Sequence, residues 1–147
     1  MRKVIGTIFF VSVLLFAFSA QSTAQCKGFA KKICKEELGS YTHDGNYHAA
    51  ILTEGEEAEL YKTFYSDQDY RLAICGNNNL PPIEFKILDN NKNVLYSNKD
   101  NDYAKTWDFK LESSQQLKLV VKVTTFEQAS DAPASGCVAI LFGFKIK

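Results

Sequence analysis

Past residue 18 the chain has no long apolar run, no excess of either charge, and only two histidines, His43 and His48. The missing apolar run means that no later segment reaches the ~20 residues needed to span a bilayer. The balance of 17 basic against 17 acidic side chains leaves no positive field to attract nucleic acid or anionic lipid. Also missing are a Gly-x-Ser-x-Gly elbow, a phosphate loop, a dinucleotide fingerprint, a Cys-x-x-Cys pair and an Asn-x-Ser/Thr acceptor. Without such constellations no nucleophilic, phosphoryl-transfer or thiol-redox chemistry is indicated.

What is present begins with an address. Arg2 and Lys3 precede an apolar run from Val4 to Phe18, and Ser22-Thr23-Ala24 supplies small residues at a cut. That order predicts a secretory signal peptide over residues 1–24, cleaved after Ala24. Its removal leaves 123 residues with 15 basic and 17 acidic side chains, a net charge of −2. The expected location is the periplasm or the exterior, with no transmembrane segment in the mature chain. Gln25, not a small residue, precedes Cys26, so ordinary release is expected over lipid attachment.

Residues 25–48 are expected to form an amino-terminal helix and loop. From Lys27 to Leu38, apolar Phe29 or Ala30, Ile33, Cys34 and Leu38 recur at three- and four-residue steps, while Lys31, Lys32, Lys35 and Glu36 face outward. Gly39 is a natural stop, and Ser40–Asn46 has loop chemistry. From Ala49 onward the period becomes two. Strands are expected near Ala49–Leu52, Glu59–Phe64, Tyr70–Cys75, Ile83–Ile87, Val94–Ser97, Trp107–Leu111, Leu117–Val123 and Val138–Ile146. The fold class expected is all-β: an antiparallel two-sheet β-sandwich over residues 49–147, with one amino-terminal α-helix. Glu127–Gly136 and Asn98–Lys105 stand out as loops, the second as part of a rim.

All four cysteines, Cys26, Cys34, Cys75 and Cys137, lie beyond the cut, and two disulfides are expected. Cys75 ends one strand and Cys137 begins another, so adjacent antiparallel strands favour a Cys75–Cys137 bridge. Cys26–Cys34 follows by elimination, but eight helical steps cover about 12 Å, beyond the ~7 Å limit between bridged Cα atoms. That pair closes only if Cys26 folds back off the helix. Otherwise one of the two staples the helix to the sandwich.

Several clusters could carry chemistry. His43, Asp44 and His48 supply two imidazoles and a carboxylate for zinc or a similar metal, against a plain reading in which Asp44-Gly45 shapes a turn. Asp89-x-Asn91-x-Asn93 opens like a calcium loop but lacks its glycine and closing glutamate. The simpler expectation is a hairpin, with Asn90 and Asn91 in left-handed turn positions, and Asp100 and Asp102 as calcium candidates at the rim. Glu54, Glu56, Glu57 and Glu59 crowd a turn and strand edge and are expected to be solvated. Tyrosines are numerous, at 41, 47, 61, 65, 96 and 103. Tyr41, Tyr47 and Tyr103 are the candidate ligand-binding residues, with core or rim packing as the plainer alternative.

The segment from Leu52-Thr-Glu-Gly-Glu to Tyr70-Arg-Leu-Ala-Ile-Cys75, the Phe85–Asp89 and Val94–Tyr96 hairpin, and the closing strand at Val138–Phe144 resemble the pre-peptidase C-terminal and Golgi-dynamics (GOLD-like) jelly-roll domains. Ser66-Asp67 departs from the pattern, standing where those domains carry glycine. The likeness covers roughly residues 49–147, and the whole chain also looks like small exported proteins of Gram-negative bacteria. Such relatives imply an accessory binding or stabilising role, with no catalytic residues to carry over and no cofactor. The expected function is therefore a non-catalytic binding or accessory protein of the cell envelope, with an envelope protein or a polysaccharide as partner. The alternatives are a calcium or zinc module, a small metal-dependent hydrolase, and a carbohydrate-binding module.

Overall fold

The computed structural model describes residues 21–128 and 131–147. The predicted leader up to residue 20 lies outside the described residues. Helix α1 (Gln21–Lys32) is followed by a 3-10 turn over Cys34–Leu38. Nine strands follow among the described residues: β1 (Thr42–His43), β2 (His48–Thr53), β3 (Glu57–Phe64), β4 (Asp69–Gly76), β5 (Ile83–Leu88), β6 (Val94–Ser97), β7 (Thr106–Lys110), β8 (Gln115–Val123) and β9 (Ser135–Phe144).

From β2 to β9 the chain behaves as one long antiparallel hairpin with its tip between β5 and β6. Its arms pair β2 with β9, β3 with β8, β4 with β7 and β5 with β6. Folding that ribbon over adds the pairs β4·β9 and β5·β8. The result is two facing sheets, ordered β2-β9-β4-β7 and β3-β8-β5-β6, with β1 beside the far end of β9. This is a jelly roll: the two-sheet sandwich is the one expected from the alternating rows, and its type is the one the resemblance implied.

The alternation decides which side chains meet. Leu117, Leu119, Val121 and Val123 of β8 face Tyr70, Leu72 and Ile74 of β4 across the core, joined by Phe85, Ile87 and Phe142. Phe64 sets its ring edge-on to Tyr70, Phe109 and Phe142 at 4.9, 5.0 and 5.5 Å. Trp107 stacks between Tyr96 and Phe109, at 4.8 and 4.4 Å. Tyr96 is thereby a core residue. Ile146, expected in the inward row of β9, is 75% exposed because the strand ends at Phe144.

Strands β4 and β9 are buried on both faces. Their outer face carries the small row Ala73, Cys75, Ala139 and Leu141, against which Ala30, Cys34 and Leu38 pack. The helix differs from the single run expected over 27–38: it breaks at Ile33, which is 56% exposed instead of inward. The buried set is Cys26, Ala30, Cys34 and Leu38, a strict four-residue step that turns Ile33 to solvent. Gly39, at φ 56°, ends the turn and donates its N–H to the Glu36 carbonyl.

Disulfides hold this docking in place, and they correct the expected pairing. Cys26 joins Cys137 and Cys34 joins Cys75, with Cα separations of 5.2 and 5.7 Å. Strands β4 and β9 are indeed antiparallel neighbours, but Cys75 sits opposite Ala139. Cys137 is therefore a diagonal neighbour, at a spacing of about 7–8 Å, too wide for a bridge. Both sulfurs point to the outer face, where the helix brings nearer partners. Cys26–Cys34 is likewise replaced, since both residues lie along one helical face.

Candidate functional site

At one end of the sandwich the β4–β5 and β6–β7 loops enclose an open cleft of about 390 Å³. Its floor is Ile74 and Ile83, and Asn78, Pro81, Pro82, Tyr103 and Lys105 stand around it. Asparagines tie down both loops. Asn77 donates its N–H to the Cys137 carbonyl at 3.0 Å, and its side-chain oxygen accepts the Cys137 N–H. Asn79 Nδ2 adds a bond to the Ser135 carbonyl at 2.9 Å. Gly136 makes this approach possible, since a Cβ there would fall 2.9 Å from Asn77 Oδ1.

Asn98 organises the second loop and is 1% exposed. Its Oδ1 accepts the Phe85 N–H at 2.7 Å, while Nδ2 donates to the carbonyls of Ile83 and Ala104 at 2.8 and 3.2 Å. Its own carbonyl accepts the Tyr103 N–H at 2.9 Å. Between these bonds Asp102 and Tyr103 both take left-handed backbone, at φ 53° and 55°. Non-glycine residues adopt it at a cost of about 1 kcal/mol or more each. The buried amide offsets that strain, and the strained turn places Tyr103 in the cleft wall.

The three tyrosine candidates do not share a surface. Tyr41 lies against Gly143, toward the end of β9 away from Cys137. Its ring takes the Arg71 guanidinium at 4.6 Å and the Lys145 ammonium at 5.0 Å. Arg71 in turn forks onto Asp108 at 2.6 and 2.8 Å, which lowers the Asp108 carboxyl pKa, first through that hydrogen bond. Tyr47 packs on His43 at 4.4 Å, with Lys31 above it. Only Tyr103 lines the cleft.

His43, Asp44 and His48 are neighbours, and His43 Nε2 lies 3.7 Å from Asp44 Oδ1, but each residue also has partners outside the trio. Asp44 Oδ2 pairs with Lys62 of the opposite sheet at 3.0 Å, and Oδ1 accepts the Asn46 N–H at 2.8 Å. Burial raises the Asp44 carboxyl, yet the Asn46 bond and the Lys62 ammonium outweigh it and leave the pKa lowered. His43 Nε2 lies 3.0 Å from the Asn46 carbonyl. His48 sets its ring edge near Phe142, and burial lowers its pKa. Among the described residues no three His, Cys, Asp or Glu side chains converge to hold a metal ion.

The remaining acids serve turns and ladders. Asp89 accepts the N–H groups of Asn91 and Asn93 and the Asn93 amide. The left-handed position in that hairpin is Lys92, at φ 65°, and not Asn90 or Asn91. The Asp89 carboxylate bonds forward to the backbone and shifts the turn by a residue. Asp100 and Asp102 are exposed. Glu59 pairs with Lys118 at 2.8 Å. Glu54 accepts the N–H groups of Phe126 and Ala134, at 2.9 and 2.8 Å, fastening both ends of the β8–β9 loop.

These features define a disulfide-braced jelly roll with an open cleft at one end, walled by Tyr103 and two prolines. No family model matches the chain, and no curated sequence does. Among solved structures its fold is similar to that of Aeromonas hydrophila PliG, a periplasmic lysozyme inhibitor of g-type lysozyme. The TM-score is 0.50 at 11% identity, over 73% of this chain and 89% of that one.

Proposed function

We propose that this chain is an exported, non-catalytic binding protein of the cell envelope, which grips a folded protein partner at the Tyr103 cleft. The observation that carries this reading is the construction of the cleft wall. A buried amide and two consecutive left-handed residues hold one tyrosine beside Lys105 and a pair of prolines. Tyrosine and proline offer rigid contact area at low entropic cost, the chemistry of a binding anchor. The two disulfides suit an exported protein, and the resemblance to accessory jelly-roll domains points the same way. PliG, of similar fold, is a periplasmic inhibitor of g-type lysozyme. A g-type lysozyme is accordingly the first partner to test, followed by envelope proteins at large.

The experiment immobilises the mature chain and measures retention of purified g-type lysozyme and of envelope proteins, with lysis assayed in parallel. Tyr103→Ala should weaken retention tenfold or more while melting as the parent does. If the parent retains nothing, or Tyr103→Ala retains as much as the parent, this reading fails. A second reading is sugar binding, favoured by the Tyr103 ring standing near the Asn77 and Asn78 amides. Retention on a polysaccharide resin, lost in Tyr103→Ala, would select it.

A further inference from the structure

We infer that the exported chain carries a blocked amino terminus, formed when Gln25 closes on itself into a pyroglutamyl ring. This inference rests on the export reading above, because cleavage after Ala24 makes Gln25 the first residue. The chemistry needs no partner. The neutral α-amine attacks the side-chain carboxamide carbon of the same residue, a five-membered lactam forms, and the C–N bond to the amide nitrogen breaks to release ammonia. No oxidation state changes, and one positive charge is lost.

The surroundings of Gln25 suit both the reaction and its persistence. Gln25 is exposed, so its amine and carboxamide can reach one another without leaving a packed core. The next residue, Cys26, is 0% exposed and bonded to Cys137. The new terminus is therefore fixed to the sheet one residue from its end, and exopeptidase trimming cannot pass Cys26 without undoing that contact. Once residues 1–24 are removed Gln25 stands first, and the Cys26-Lys27-Gly28 that follows it in α1 brings a like charge and no acid. A protonated amine there opposes the helix dipole and lies near a like charge. The lactam removes that charge and leaves a neutral end, much as amino-terminal acetylation does. Cyclisation is thus favoured by the fold and closes the one unanchored residue to aminopeptidases.

The test is intact mass and amino-terminal peptide analysis of the full precursor, expressed with export and recovered from the periplasm or medium. The expected product begins at residue 25, is lighter than the open chain by one ammonia, and has no free α-amine on its terminal peptide. Gln25→Asn should yield a full-mass chain with a reactive terminus, because its shorter side chain would have to close a four-membered ring. A product beginning at Gln25 with an open amine overturns the inference but leaves export intact. An uncut precursor, or a start at another residue, overturns the inference together with the cleavage it rests on.

Discussion

Replacing Cys75 and Cys137 together by alanine separates the observed disulfide pattern from the one that strand order suggests. In the structure these residues belong to different bridges. The double variant should therefore lose both and leave Cys26 and Cys34 as free thiols. Replacing Cys26 and Cys137 instead removes one bridge and leaves Cys34–Cys75 whole. The Cys34–Cys75 bridge spans 41 residues, a closure worth about 4 kcal/mol in the chain-entropy model. Cys26–Cys137 spans 111 residues, but with the other bridge intact the shortest circuit is about 70 residues, again near 4 kcal/mol. Against a typical domain stability of about 5–15 kcal/mol, one lost bridge should lower the melting temperature by roughly 10–20 °C. Loss of both should leave the helix undocked and the fold marginal. Thermal melts, thiol titration of the unfolded variants and peptide mapping without reductant read these outcomes. The reasoning is refuted if Cys75→Ala/Cys137→Ala shows no free thiol and melts above Cys26→Ala/Cys137→Ala.

Two further perturbations test the loops. Asn98→Ala strips the partners from the Phe85 N–H and from the Ile83 and Ala104 carbonyls, and should cost about 3 kcal/mol in urea unfolding. It should also weaken partner retention through Tyr103; a loss well under ~1 kcal/mol would show that the amide is not the keystone of that loop. Glu54 has its carboxyl pKa lowered from the ordinary 4.5, first by the Phe126 N–H bond and then by that of Ala134. A depressed folded-state pKa gives stabilisation present above the unfolded value and lost as pH falls through the folded one. Hydrogen exchange at Phe126 and Ala134, corrected for intrinsic rates, should therefore lose protection as pH falls from 4.5 through the lowered folded-state pKa. In Glu54→Gln that step should vanish, and its persistence would assign it to another group.

The strands were legible because burial on a pleated sheet leaves a period of two that needs no tertiary knowledge to read. The β6 limits, Val94–Ser97, are the expected ones, and the other long strands differ only at their ends. The two-residue β1 carries no period at all, and it exists only because Phe144 and Gly143 of β9 lie beside it. Within the candidate site, Tyr103 and its loop could be singled out by composition, whereas Asn98 could not. An asparagine in a polar loop looks solvated until the fold lays that loop over the edge of β5. A signal for the helix dock was present in the parity of the strands. Cys75 and Cys137 fall on the faces opposite the rows Leu72–Ile74 and Val138–Phe142, among alanines small enough to admit a helix.

Sequence alone thus determined the eight longer strands, the class of sandwich and the expectation of an exported, disulfide-bonded chain, since each follows from local alternation or composition. Tertiary structure decided which cysteines join, where the helix breaks and which tyrosine reaches a cleft. Those outcomes depend on the register between strands distant in sequence and on what packs against their outer face, and no local pattern of side chains encodes either.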